Sequence, residues 1–132
     1  MRNLVRFLKI ASPIFLVVGA LHLFLGAGAE VMLGAKLSAD SLADPVLDSQ
    51  NRFYGVAFTL YGVLLYVCAT DLTKYRVIYL CVLGVFFAGG LARLVSILTH
   101  GIPSPAVLVL LFSEILVPPF LYWWLSQVQH EG

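Results

Sequence analysis

The stretch GVFFAGGLARLVSILTHGIPSPAVLVLLFSEIL, residues 84–116, decides the fold. Two apolar segments meet at His100-Gly-Ile-Pro-Ser-Pro105, and each carries one ionisable residue well inside it, Arg93 in the first and Glu114 in the second. A charge deep in hydrocarbon costs about 2.5 to 3.5 kcal/mol even on lenient insertion scales, so such residues face a bundle interior and find partners. The stretch therefore reads as a hairpin of two membrane helices joined by a polar pair. Its two charged residues sit at similar depth, which places them in contact or one water apart.

The rest of the composition agrees. Of 132 residues 61% are hydrophobic and only 11% charged, with a mean hydropathy of +0.96, whereas charged residues make up about 25% of a soluble domain. A membrane-spanning helix needs about 20 mostly apolar residues, and the chain offers four such runs with little left over. The reading is an all-α integral membrane four-helix bundle, one domain over 1–132, with helices at about 10–33, 45–70, 77–99 and 106–126. A formal net charge of +1 and scattered Lys and Arg leave no basic stripe, which excludes nucleic acid as a partner. Cys68 and Cys81 have no metal-ligand spacing and are expected as unbridged packing residues.

Residues 1–29 imitate a secretory signal: Arg2, Arg6 and Lys9, then an apolar run, then Ala27-Gly28-Ala29. The run from Ile10 to Ala29 is too long for a signal core and reads as helix 1, with Pro13 in its opening turns. Gly19, His22, Gly26 and Glu30 share one face of it. The acidic loop that follows ends at Asp44-Pro45, an N-cap with proline at the first helical position. Along helix 2, Asn51, Gly55, Thr59, Gly62 and Tyr66 make one polar and small face. In helix 3, Gly84, Ala88, Ala92 and Ser96 recur every four residues, a seam that permits close helix contact. Pro118 cannot donate to the Glu114 carbonyl nor Pro119 to that of Ile115, so helix 4 is expected to kink there.

Basic residues set the orientation. Arg2, Arg6 and Lys9 precede helix 1, and Lys74 and Arg76 lie between helices 2 and 3, so both places are read as cytoplasmic and both termini as inside. Tyr75, Tyr79, Tyr122, Trp123 and Trp124 are read as an aromatic belt at that inner interface. At about 1.5 Å of rise per residue, Arg93, Glu114 and His22 lie roughly 9, 12 and 10 Å below the outer ends of their helices. Asn51, Arg52 and Glu30 sit above them at the outer mouth, with Tyr61 near the same level. These seven are the candidate ligand-binding residues. Each has a plainer reading: Arg93 and Glu114 as an ion pair that fixes helix register, His22 as a hydrogen-bonded interface histidine, Glu30 and Arg52 as interfacial charges. His22, His100 and His130 do not converge, so no metal site is expected. Nor does any phosphate-cradling loop or nucleophile elbow occur, and no cofactor is expected.

Asn51-Arg52 with Gly55, Gly89-Gly90-Leu-Ala-Arg93 with Ser96, Gly101-Ile-Pro103 and Glu114 together resemble a bacterial family of small four-helix membrane proteins, the domain of unknown function 4345. The resemblance spans nearly the whole chain. It implies a four-helix membrane fold in the bacterial inner membrane and carries no activity. From the residues themselves the first functional reading is a pocket for a small hydrophobic or amphipathic molecule, entered from the outer leaflet. Arg93 would anchor an anionic or carbonyl group, with Glu114 and His22 as hydrogen-bonding or acid/base groups. The second is an accessory subunit whose helix 3 seam packs on a partner membrane protein or a second copy of the chain. Proton-coupled transport ranks last, since the inner halves of the helices hold too few polar residues for a path.

Overall fold

The computed structural model of the protein describes residues 1–130, Gln129 and His130 by backbone alone. Among these residues the chain forms six helices and no strand: α1 (Arg2–Leu25), α2 (Gly28–Met32), α3 (Ala39–Leu42), α4 (Pro45–Cys68), α5 (Arg76–His100) and α6 (Pro105–His130). Helices α1, α5 and α6 are long and apolar enough to cross a membrane. α4 matches them in length, but its first two turns carry Asp48, Gln50, Asn51 and Arg52, and it falls short of them in apolar character.

The first long helix differs from the expected 10–33 at both ends. Nothing before Ile10 breaks a helix, so α1 starts at Arg2 and Pro13 lies well inside it. Pro13 cannot donate to the Lys9 carbonyl, and the Ser12 hydroxyl does so instead, at 3.4 Å. α1 stops at Gly26, whose φ of +54° is a left-handed conformation that disfavours a side chain. A Cβ at Gly26 would also collide with the Asp48 carboxylate. The chain turns there and resumes as the short α2. The start of α4 is as the sequence dictates: Asp44 Oδ1 accepts from the amides of Val46 and Leu47 at 2.8 and 3.0 Å, with Pro45 next to it. α6 runs helical through Pro118 and Pro119 without a break.

The long helices pack in two pairs, α1 with α4 and α5 with α6, and α4 also meets α5. Glycines bring α1 and α4 into backbone contact: a Cβ at Gly55 would lie 2.6 Å from the Leu23 nitrogen, and one at Gly62 2.8 Å from the Ser12 oxygen. Gly90 of α5 instead lets the side chains of Glu114 and Ile115 of α6 come close against its backbone. The expected seam of α5 does not pack. Gly84, Ala88, Ala92 and Ser96 are all exposed, because Tyr79, Val82, Leu83 and Gly90 on another face of α5 make the contacts.

The apolar core lies at the end of the bundle that holds the chain termini, where Leu4, Leu8, Leu65, Cys68, Tyr79 and Leu125 meet. Tyr79 is therefore no belt residue. It is fully buried, and its hydroxyl donates to the Leu121 carbonyl at 3.4 Å. Tyr122 and Trp123 are exposed, while Trp124 packs on Phe7. Cys81 is exposed and Cys68 buried, both as free thiols. At the other end the pairs touch where the Ser104 hydroxyl donates to the Leu33 carbonyl. Large apolar side chains such as Ile10, Val77 and Leu98 stand outward over the long helices, a surface suited to lipid rather than water.

Candidate functional site

Arg93 and Glu114 meet as their depths predict. Gly90, one turn before Arg93, lets the helices approach until a Cβ there would stand 3.0 Å from the Glu114 Cβ. Arg93 Nε then donates to Glu114 Oε2 at 2.7 Å, a charge-assisted length. The partners are unequally covered: the Glu114 side chain is 6% exposed and that of Arg93 32%. The contact is a single bond rather than a fork. Neither Nη group of Arg93 and not Oε1 of Glu114 has a hydrogen-bond partner among the described residues. None of these atoms is sealed from open space, since Asn51 Oδ1 is the one fully buried side-chain polar atom among them that lacks a partner.

Two hollows lie near the pair, one lined by Arg93 and the other by Ser113, the neighbour of Glu114. One is a groove of about 270 Å³ between α5 and α6, lined by Ala92, Arg93, Ser96, Pro103, Val107 and Leu111. The small side chains at 92 and 96 leave its space. The other, about 210 Å³ and almost wholly apolar, lies between the two helix pairs toward the termini, against Phe15, Tyr61, Leu65, Phe86, Ser113 and Val117. Glu114 sits on α6 between residues that line the one and residues that line the other. Tyr61, stacked on Phe15 at 6.0 Å, lines this second hollow.

The remaining candidates gather elsewhere, at the junction of α1, α2 and α4. His22 is buried, its Nδ1–H donates to the Val18 carbonyl at 2.9 Å, and its ring lies on Phe58. That bond fixes the proton on Nδ1, so Nε2, 3.7 Å from Glu30 Oε1, attracts the carboxylate only when the ring is charged. Asn51 is buried and donates from Nδ2 to Leu47. Arg52 joins neither group. Its guanidinium grips Asp48 at 2.7 and 3.3 Å and donates through Nη1 to the Leu23 carbonyl at 2.7 Å. Arg52 beside it holds the Asp48 carboxyl below its usual value. The single polar layer read from depth is thus two groups, Arg93 with Glu114 and His22 with Glu30, while Tyr61 lines the apolar hollow between the pairs.

Among the described residues no three His, Cys, Asp or Glu side chains come together as metal ligands. His100 bonds to Thr99 at the exposed end of α5, and the side chain of His130 lies outside the described residues. The clamp of Asp48 and Arg52 on α1 escapes a reading by depth, although its i, i+4 spacing is a signal for the ion pair. Nothing in the sequence marks the Ser104 bond to Leu33.

Comparisons with curated proteins and with solved structures find no match. A family model described as domain of unknown function (DUF4345) matches residues 5–125, from the first turn of α1 to the last turns of α6, and the chain belongs to that family.

Proposed function

We propose that the protein is a four-crossing bundle of the bacterial inner membrane, both termini cytoplasmic, that binds a small amphipathic molecule at Arg93 and Glu114. The observation that carries this is the state of Arg93: a guanidinium on an apolar helix, tied to its counter-ion by Nε alone, with both Nη groups free beside a groove. An ion pair serving only as a staple gains most from a forked contact. Here two donor groups are left over on a residue that lines the open groove. Broken backbone plays no part in this reading, because α6 is continuous. His22 and Glu30 stand apart from the groove and act at the mouth of α1 and α4, with Asn51.

The test is mass spectrometry of the protein released from detergent after purification without added ligand. A bound amphiphile is expected on the parent and lost from Arg93→Gln while the helical circular dichroism is kept. Absence of any bound species from the parent would remove the proposal. For orientation, a cysteine placed at Ser41 is expected to react with an impermeant reagent added outside; reaction only after the inner face is opened would reverse the topology.

The exposed seam of Gly84, Ala88, Ala92 and Ser96 favours a second reading, an accessory subunit packing on a membrane partner or a second copy through α5. Gly84→Leu separates the two. It should abolish association under the second reading and leave amphiphile retention unchanged under the first.

A further inference from the structure

Arg93 and Glu114 present two kinds of free site side by side: N–H donors on one partner and a carboxylate oxygen on the other. Arg93 and Glu114 form a salt bridge whose charges sum to zero. A phosphate head placed there would bring an uncompensated negative charge next to Glu114 in a medium of low dielectric. A bare hydroxyl or ester would satisfy one side only and leave the other dry, at the penalty of an unmade hydrogen bond. What matches both sides is a head with a carbonyl acceptor and an N–H or O–H donor on the same carbon.

Size and placement restrict the tail. The hollows measure about 270 and 210 Å³, below or at the lower limit of ordinary small-molecule sites, about 300 to 1,000 Å³. They suit one chain and not two. The apolar one runs from the level of Glu114 toward the core, past Phe86, Val117 and Leu121, and so receives a chain directed away from the hairpin loop. In the orientation proposed above, that is the direction of an acyl chain in the outer leaflet.

Resting on the amphiphile reading of the groove, we infer that the ligand is a single-chain amphiphile with a carboxylic acid head, bound with one proton between its carboxyl and Glu114. The carbonyl accepts from Arg93 Nη, and the O–H donates to Glu114 Oε1. No bond is made or broken beyond this hydrogen bonding. The charged or titratable groups nearest the site are Arg93 from α5, paired with Glu114, and Tyr61 from α4, which lines the apolar hollow, while α1 brings Phe15 to the same hollow. Arginine and tyrosine keep one charge state through neutral pH, so the proton taken up on binding is the ligand's own.

The experiment is equilibrium binding of radiolabelled palmitic acid to the full chain in detergent, with unlabelled competitors, between about pH 6 and pH 9. Palmitic acid should bind, and once pH exceeds the acid's own pKa its affinity should fall about tenfold per pH unit, the slope of one proton taken up. Palmitamide carries the same acceptor and donor and should compete with no pH dependence. Methyl palmitate, hexadecanol and hexadecylphosphocholine should compete at least about tenfold less well, equivalent to about 1.4 kcal/mol. If hexadecylphosphocholine or methyl palmitate equals palmitic acid, the carboxylic head is wrong and the amphiphile site stands. If the label binds with no pH dependence while palmitamide fails to compete, the shared proton is wrong. If neither label nor competitor binds above the empty-detergent background, the amphiphile site goes as well.

Discussion

Arg52 Nη1 stands 2.7 Å from the Leu23 carbonyl oxygen, so a side chain of α4 serves an acceptor that the end of α1 leaves open. The last four carbonyls of a helix lack intrahelical donors, and a cation there also meets the negative end of the helix dipole. Asp48 holds the guanidinium in place from one turn above. The pair therefore closes the junction that Gly26 opens.

Replacing Arg52 by Ala should lower the thermal midpoint in detergent. Asp48→Asn should lower it less, since the bond to Leu23 survives. Both groups are solvent-exposed, so high salt should narrow the difference from the parent for Asp48→Asn. A variant at Arg52 that melts with the parent would show the bond to Leu23 to be without effect on stability.

The Asp48 carboxyl titrates below its usual 3.8 because of the hydrogen bond from Arg52. A carboxylate depressed in the folded state contributes stability that is complete above its unfolded value and is lost as pH falls through the folded one. The gap in midpoint between the parent and Asp48→Asn, measured at about pH 7, should narrow as pH falls below the unfolded value and through the folded one. An unchanged gap would mean that Asp48 acts by shape and not by charge.

Glycines divide sharply by position. Gly55→Val puts side chain where the Leu23 backbone stands, at 2.6 Å from the first added carbon, and forced overpacking costs about 1 to 3 kcal/mol or more. Gly84→Ala and Gly89→Ala meet nothing within 4 Å and should be neutral or stabilise by about 0.5 to 1 kcal/mol through helix propensity. Chemical denaturation of the three variants in mixed micelles checks the contrast. Equal losses at Gly55 and Gly84 would contradict the packing of α1 on α4.

Arg93 and Glu114 form the strongest polar contact between α5 and α6. Removing one partner of a buried pair costs about 3 to 5 kcal/mol; with Arg93 32% exposed, the loss for Arg93→Gln or Glu114→Gln should be smaller, about 2 kcal/mol. The double variant should regain much of it. Double-mutant analysis of unfolding gives the coupling directly, and additive single effects would show that the two side chains do not depend on each other.

The membrane character, the long helices and the meeting of Arg93 with Glu114 are legible in the sequence because each follows from a one-dimensional quantity: apolar length, or distance from a turn. What is not legible follows from rotation. Small residues at 84, 88, 92 and 96 mark a face that could pack, but nothing in the chain says that Gly90, on another face, is the one that does. His22 lies at a depth matching Arg93, yet it belongs to the α1 and α4 pair, and depth carries no azimuth. The end of α1 was hidden for another reason. Gly26 is one small residue among several, and the group that leaves no room for a side chain there, the Asp48 carboxylate, lies 22 residues away.

The glycine contacts of the first pair all lie within residues 1–68, and the Gly90 contact and the ion pair of the second within residues 76–130. Each half is thus a complete hairpin before it meets the other. A ribosome delivering this chain can leave a finished α1 and α4 pair in the bilayer while α5 is still unsynthesised. What joins the two hairpins includes the aromatic contacts of Phe15 and Tyr61 with Phe86. The apolar hollow beside Phe15, Tyr61 and Phe86 lies along this same line of contact, between the two hairpins and inside neither.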